Sequence, residues 1–283
     1  MQDHLKDKIR TKWEHRKRRR RRRRRPRLKR GIFLLPNLFT TGSLFAGFYA
    51  IIAAIQMDFW WASLAILISI ILDGLDGAIA RLTKSSSPFG LQYDSLSDLA
   101  AFGIAPAILI YNWALAPFGR IGWLAAFIFT ACSALRLARF NVFAQTAGPT
   151  ADFRGLPAPA AAGVLASWVF MAEHYEIREM IPPALTFAYA YILATLAYLL
   201  AFLMVSTIRY TSFKNLGDRL RRPFRVLVGT VLALFVAAAI PQVVAFLAMA
   251  GYAISGPVLY FHRYRRTKEA AAPSEEPAAP ESP

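Results

Sequence analysis

The stretch Asp73-Gly74-Leu75-Asp76-Gly77-Ala78-Ile79-Ala80-Arg81, continued by Gly90, Asp94 and Asp98, decides how this chain is read. It sets four carboxylates and an arginine at the edge of apolar helical sequence. A charged side chain at the centre of a membrane helix costs about 2.5–3.5 kcal/mol on insertion scales, so four unpaired aspartates cannot face lipid. They must face a cavity, one another or bound cations. The last option makes the chain a candidate enzyme.

The sequence around this stretch predicts an all-α integral membrane protein. Hydrophobic residues make up 56% of the chain, a share soluble domains rarely reach, and they gather in stretches of membrane-spanning length. Spans are expected near 37–57, 59–80, 94–115, 121–141, 158–172 and 184–206, as six core helices. A further C-terminal pair is expected near 226–240 and 243–261, divided at Pro241. The first 30 residues are too polar to hold the apolar segment of a cleavable signal. Cys132, the single cysteine, falls inside a span, which excludes an intrachain disulfide.

Charge sets the expected orientation. Of 34 Lys and Arg residues, 17 lie within residues 1–30. Arg81, Lys84, Arg154, Arg209, Lys214, Arg219, Arg221, Arg222 and Arg225 follow the even-numbered spans, and Arg263, Arg265, Arg266 and Lys268 begin the tail. The other side has only Arg120 and Arg178. The positive-inside bias therefore puts both termini and the aspartates on the cytoplasmic side. The run Arg16-Lys17 followed by eight arginines has two readings, a nucleic-acid arm or a solvated arm resting on anionic headgroups. Its attachment to a membrane span favours the headgroups, and no nucleic acid is expected. The Ala-, Pro- and Glu-rich residues 269–283 are expected to be disordered.

Helical spacing puts Asp73 and Asp76 (i, i+3) on one face, and Asp94 and Asp98 (i, i+4) on one face at the opening of the next helix. A short connection from Leu82 to Tyr93 makes those helices antiparallel neighbours, so the two pairs meet at one membrane face. Asp73 lies about 21 Å along its helix from Phe59 at about 1.5 Å per residue, toward that face. Four acids in one pocket need compensation. Oxygen ligands suit Mg²⁺, Mn²⁺ or Ca²⁺. Two such ions could clamp a diphosphate and stabilise an in-line displacement at phosphorus. Buried salt bridges to Arg81, Arg136 and Arg139 are the purely structural alternative.

The spacing Asp-x2-Asp-Gly-x2-Ala-Arg-x8-Gly-x3-Asp-x3-Asp resembles the signature of the CDP-alcohol phosphotransferases. Asp73, Asp76, Gly77, Ala80, Arg81, Gly90, Asp94 and Asp98 fill every fixed position. Leu35-Pro36-Asn37-Leu38-Phe39-Thr40, Asp94-Ser95-Leu96-Ser97-Asp98, Ala134-Leu135-Arg136-Leu137-Ala138-Arg139-Phe140-Asn141 and Phe153-Arg154-Gly155-Leu156-Pro157 are similar to the phosphatidylserine synthase branch. The resemblance covers roughly residues 31–215. It implies the CDP-alcohol phosphotransferase fold over that segment, a homodimer, and a site open to the cytoplasm. A basic arm (1–30), additional helices (216–262) and a tail (263–283) flank the segment.

Carried over residue by residue, the resemblance makes Asp73, Asp76, Asp94 and Asp98 ligands of two divalent cations, with Asp98 also the general base. Gly77, Ala80, Arg81 and Gly90 would border the cytidine diphosphate moiety. Asn37 and Thr40 would contact phosphate or nucleotide, or else simply cap and pack their helix. The implied reaction moves the phosphatidyl group of CDP-diacylglycerol to L-serine in a bacterial inner membrane. Arg136 and Arg139, with Asn141 and Arg154, offer a fork for the serine carboxylate, though the arginines could equally snorkel to lipid phosphates. Transfer to glycerol phosphate, choline or an inositol compound is the nearest competing reading. A cation transporter is the competitor of a different class. It fits less well, because the acids cluster at one face instead of along the membrane depth.

Overall fold

The computed structural model describes residues 34–83, 87–146, 155–208, 210 and 235–270; the basic arm, Arg154 and the tail from 271 lie outside them. The described residues form helices and their connections, with no strand among them. We number the long helices α1 (Leu34–Ile55), α2 (Phe59–Thr83), α3 (the helical run Pro88–Phe118), α4 (Arg120–Thr146), α5 (Ala158–His174), α6 (Thr186–Val205) and α7 (Pro241–Ala270). All but α5 contain a segment long and apolar enough to cross a membrane. The predicted span at 226–240 lies largely outside the described residues, of which 235–239 are helical.

α1 and α2 form an antiparallel hairpin. Met57 closes it in the left-handed region (φ 63°), and the Asp58 amide returns to the Ala53 carbonyl at 2.9 Å. Lipid tails are as apolar as leucine, so membrane helices associate through close approach and polar contacts rather than burial alone. Ser43 and Ser69 illustrate this. Their hydroxyls meet at 2.7 Å, and the Ser69 hydroxyl also donates to the Ser43 carbonyl at 3.0 Å. At the far end Trp60 turns inward onto Phe170 of α5, whereas Trp61 is half exposed. The adjacent tryptophans are thus divided between packing on α5 and facing outward.

α3 departs most from a regular helix. Ser87 caps it by accepting from the Gly90 amide at 2.9 Å, and Pro88 occupies the first turn, where its missing N–H costs nothing. The helix thus begins six residues before the expected 94. Asp94 and Asp98 lie two and three turns inside it instead of opening it. Immediately after Asp98 the chain widens into a π-helical stretch, Leu99–Ile104, in which the Ala105 amide reaches back to Ala100. The wide turn ends at Pro106, whose missing N–H and ring would break a regular α ladder there. A second π-helical stretch spans Tyr111–Leu115.

α5, at 17 residues the shortest of the seven, is buried over most of its length. Ala158, Ala160, Ala161, Ala162 and Gly163 keep its profile thin, and it packs against α2 on one side and α7 on another. α6 lies against α4, and α1 against α2 and α3. The bundle's two ends differ in chemistry. One carries Glu173, which accepts from the Trp113 indole at 2.6 Å, while the other carries the aspartates. α6 ends at the aspartate end, where the Leu156 amide donates to Leu203 and Tyr210 reaches Ala253. α7 runs toward that end from Pro241 past Phe246, which packs on Trp168.

Candidate active site

The site is built where the second half of α2 meets the first half of α3. One carboxylate oxygen from each of Asp73, Asp76 and Asp94 lies within 4.8 Å of the other two. Asp98 stands beside Asp73, and the Arg136 guanidinium is an electrostatic neighbour of both. The short connection between α2 and α3 brings the two pairs together, as their helical spacing requires. Asp76 is buried, whereas Asp73 and Asp94 are partly accessible. The three gathered donors are carboxylate oxygens, four acids outnumber the adjacent cations Arg81 and Arg136, and this combination fits hard divalent cations.

α1 supplies the support beneath the acids. The Thr40 hydroxyl donates to Asp76 Oδ2 at 2.8 Å and lies 3.1 Å from the Pro36 carbonyl one turn back. Ser97 in turn donates to the Thr40 carbonyl at 3.1 Å. Thr40 therefore orients an acid of the cluster, a contact its helix position alone did not specify. Thr41 and Tyr93 pair their hydroxyls at 3.0 Å across α1 and α3. These second contacts were missed by sequence reasoning. The alternation of Ser and Asp through 94–98 was the one visible hint, because serines beside acids supply local donors.

Gly90 sits where space is short. A Cβ there would lie 3.1 Å from the Ser87 hydroxyl oxygen and 3.3 Å from Asn37 Oδ1, so Asn37 and Gly90 are neighbours. A Cβ on Gly74 would meet nothing within 4 Å. Arg81 is exposed, with one guanidinium nitrogen 3.4 Å from the Cβ position of Gly77, and it is a charge neighbour of Asp76. Ala80, at the same end of α2, is half-buried.

The residues proposed for the acceptor occupy different settings. Arg136 is buried, and its Nε has no hydrogen-bond partner among the described residues. Arg139, one turn on, donates to the carbonyls of Val205 (3.0 Å) and Ser206 (3.3 Å), which the end of α6 leaves open. Asn141 donates to the Ser95 hydroxyl at 2.9 Å and so ties α4 to α3. Gly155 adopts φ +83°, and a Cβ there would collide with the Met204 carbonyl, so a close turn joins α5 to the end of α6.

Membrane-length helices with a carboxylate cluster, an arginine and tight glycines at one end define an integral membrane protein with an oxygen-lined site whose donors could hold a metal ion. The sequence profile described as CDP-alcohol phosphatidyltransferase matches residues 33–207, more than half of the chain, and the chain belongs to that family. It is 40% identical over 197 residues to the CDP-diacylglycerol–serine O-phosphatidyltransferase of Helicobacter pylori strain 26695, covering 70% of this chain and 80% of that protein. The protein of the same name from Methanocaldococcus jannaschii is 37% identical over 150 residues, 53% of this chain and 63% of the other. An archaetidylserine synthase of Methanothermobacter thermautotrophicus is 33% identical over 185 residues, 65% of this chain and 72% of the other.

Proposed function

We propose that the protein transfers the phosphatidyl group of CDP-diacylglycerol to the hydroxyl of L-serine, giving phosphatidylserine and CMP. The observation that carries the reading is the gathering of Asp73, Asp76 and Asp94 within 4.8 Å, with Asp98 alongside. The acceptor follows from the relatives, since each of their names carries serine in its acceptor or product.

Asp73, Asp76, Asp94 and Asp98 would hold Mg²⁺ or Mn²⁺, two ions being the number that four acids suit. Bound ions would neutralise the diphosphate and stabilise charge on the attacking and leaving oxygens. Thr40 holds Asp76 in its orientation. Asp98 receives the proton of the serine hydroxyl as that oxygen bonds to the phosphorus carrying diacylglycerol. The bond from this phosphorus to the bridging oxygen breaks, and CMP departs with that oxygen. Gly77, Ala80, Arg81, Gly90 and Asn37 border the cytidine diphosphate, with Arg81 near its phosphates. Arg136 takes the serine carboxylate, supported by Arg139, Asn141 and Arg154.

In this reading the protein sits in a cell membrane as a homodimer, with the site and both termini cytoplasmic. The contrast of Arg81, Arg136 and Arg139 at one end with Arg120 and Arg178 near the other supports that orientation.

Purified protein given CDP-diacylglycerol, Mn²⁺ or Mg²⁺ and labelled serine should release CMP and form labelled lipid. Chelation should stop the reaction, and restoring the ion should recover it. A panel of glycerol phosphate, choline and inositol tests the acceptor: turnover with one of these and none with serine would discard serine while retaining the family chemistry.

A further inference from the structure

The family profile ends at residue 207, yet α7 lies well beyond it and reaches the site end of the bundle. Three contacts set how α7 is rotated. Met249 fills the space beside Gly163 of α5, its sulfur 2.8 Å from where a Cβ would stand. The Tyr210 hydroxyl donates to the Ala253 carbonyl at 3.1 Å. The Tyr210 ring presses on Gly256, at a distance no side chain could occupy. With α7 fixed this way, Tyr252 turns inward. Its ring packs at 5.7 Å from Tyr210, and its phenol lies within electrostatic reach of the Arg136 guanidinium.

Among the described residues, Asp98, Tyr252, Arg139 and Asp73 act electrostatically on Arg136. Tyr252 is the neutral member of that set, and it alone comes from outside the family segment. The two aspartates draw the guanidinium toward the acidic cluster, where it would pair with the proposed base. A neutral oxygen on a different helix offers it a competing partner. The Nε of Arg136, nine-tenths buried and without a hydrogen-bond partner among the described residues, is a donor of the kind an acceptor carboxylate would satisfy.

We infer that α7 completes the acceptor pocket and that Tyr252 is a positioning residue, holding Arg136 so that it receives the acceptor's carboxylate instead of collapsing onto Asp98. The inference rests on the serine reading of the site and adds a specificity element supplied from beyond the family segment.

The test uses full-length protein with CDP-diacylglycerol, Mn²⁺ and labelled serine. Tyr252→Phe, which keeps the ring and its packing, should raise the KM for serine about tenfold, the scale of one hydrogen bond to a charged group. The KM for CDP-diacylglycerol and the thermal midpoint should stay near wild type. Selectivity for serine over ethanolamine, the same acceptor without its carboxylate, should fall by a similar factor. In an Arg136→Lys background Tyr252→Phe should add little, because the two residues act as one unit. A serine KM within twofold of wild type in Tyr252→Phe, or full additivity with Arg136→Lys, would overturn the inference. Absence of serine turnover by the wild-type protein would instead refute the serine reading itself, a result separable from the variant's kinetics.

Discussion

At the residue scale the four acids divide by what surrounds them. Asp76 is buried and held by the Thr40 hydroxyl, Asp73 and Asp94 are partly accessible, and Asp98 has both the other acids and Arg136 as charge neighbours. Asp98→Asn removes the proposed proton acceptor while preserving shape, so turnover should fall about 10²–10⁴-fold. Circular dichroism and the melting midpoint should remain near wild type, and near-normal CMP release would refute the assigned role. Thr40→Val deletes the donor to Asp76 but keeps the volume. Because partners behind metal ligands tune affinity, the Mn²⁺ concentration for half-maximal activity should rise about 10–100-fold. An unchanged metal titration would leave Thr40 with helix packing alone.

At the element scale the informative helix is α3. The pattern of residues 94–115 reads as one apolar helix opened by Asp94 and Asp98, and its existence and direction are legible from hydropathy, whereas its true start at Pro88 is not. Nor are its π-helical stretches, because they answer to neighbours. Gly47 of α1 approaches so closely that a Cβ would lie 2.6 Å from the Ala101 Cα, and Thr130 of α4 donates to the Gly103 carbonyl at 3.1 Å. Gly47→Ala should therefore push α1 from the segment directly following Asp98. A loss of about 1–3 kcal/mol is expected from such overpacking, read as a lower thermal midpoint, with a larger fall in kcat than in serine affinity. A midpoint and kcat equal to wild type would mean that the bundle absorbs the methyl without moving Asp98.

At the scale of the whole molecule, charge and apolar length organise the chain. Half of its basic residues precede residue 31, outside the segment matched to the family. Deleting residues 1–25 should leave turnover in neutral detergent micelles largely unchanged. The same deletion should weaken activation by anionic lipid, since each basic residue near such a surface contributes about 1 kcal/mol. Catalytic loss on neutral micelles would count against an accessory arm.

The sequence by itself determined the membrane class, the helix order and the membership of the acidic cluster. Hydropathy and i, i+3 or i, i+4 spacing are local properties that survive without knowledge of packing. Only the tertiary structure decided what each polar group leans on: Thr40 on Asp76, Arg139 on the end of α6 and Asn141 on Ser95, and it alone brought Tyr252 of α7 within electrostatic reach of Arg136. Such contacts join residues tens or more than a hundred positions apart. They depend on how closely small residues let helices approach, and no single-chain pattern carries that distance.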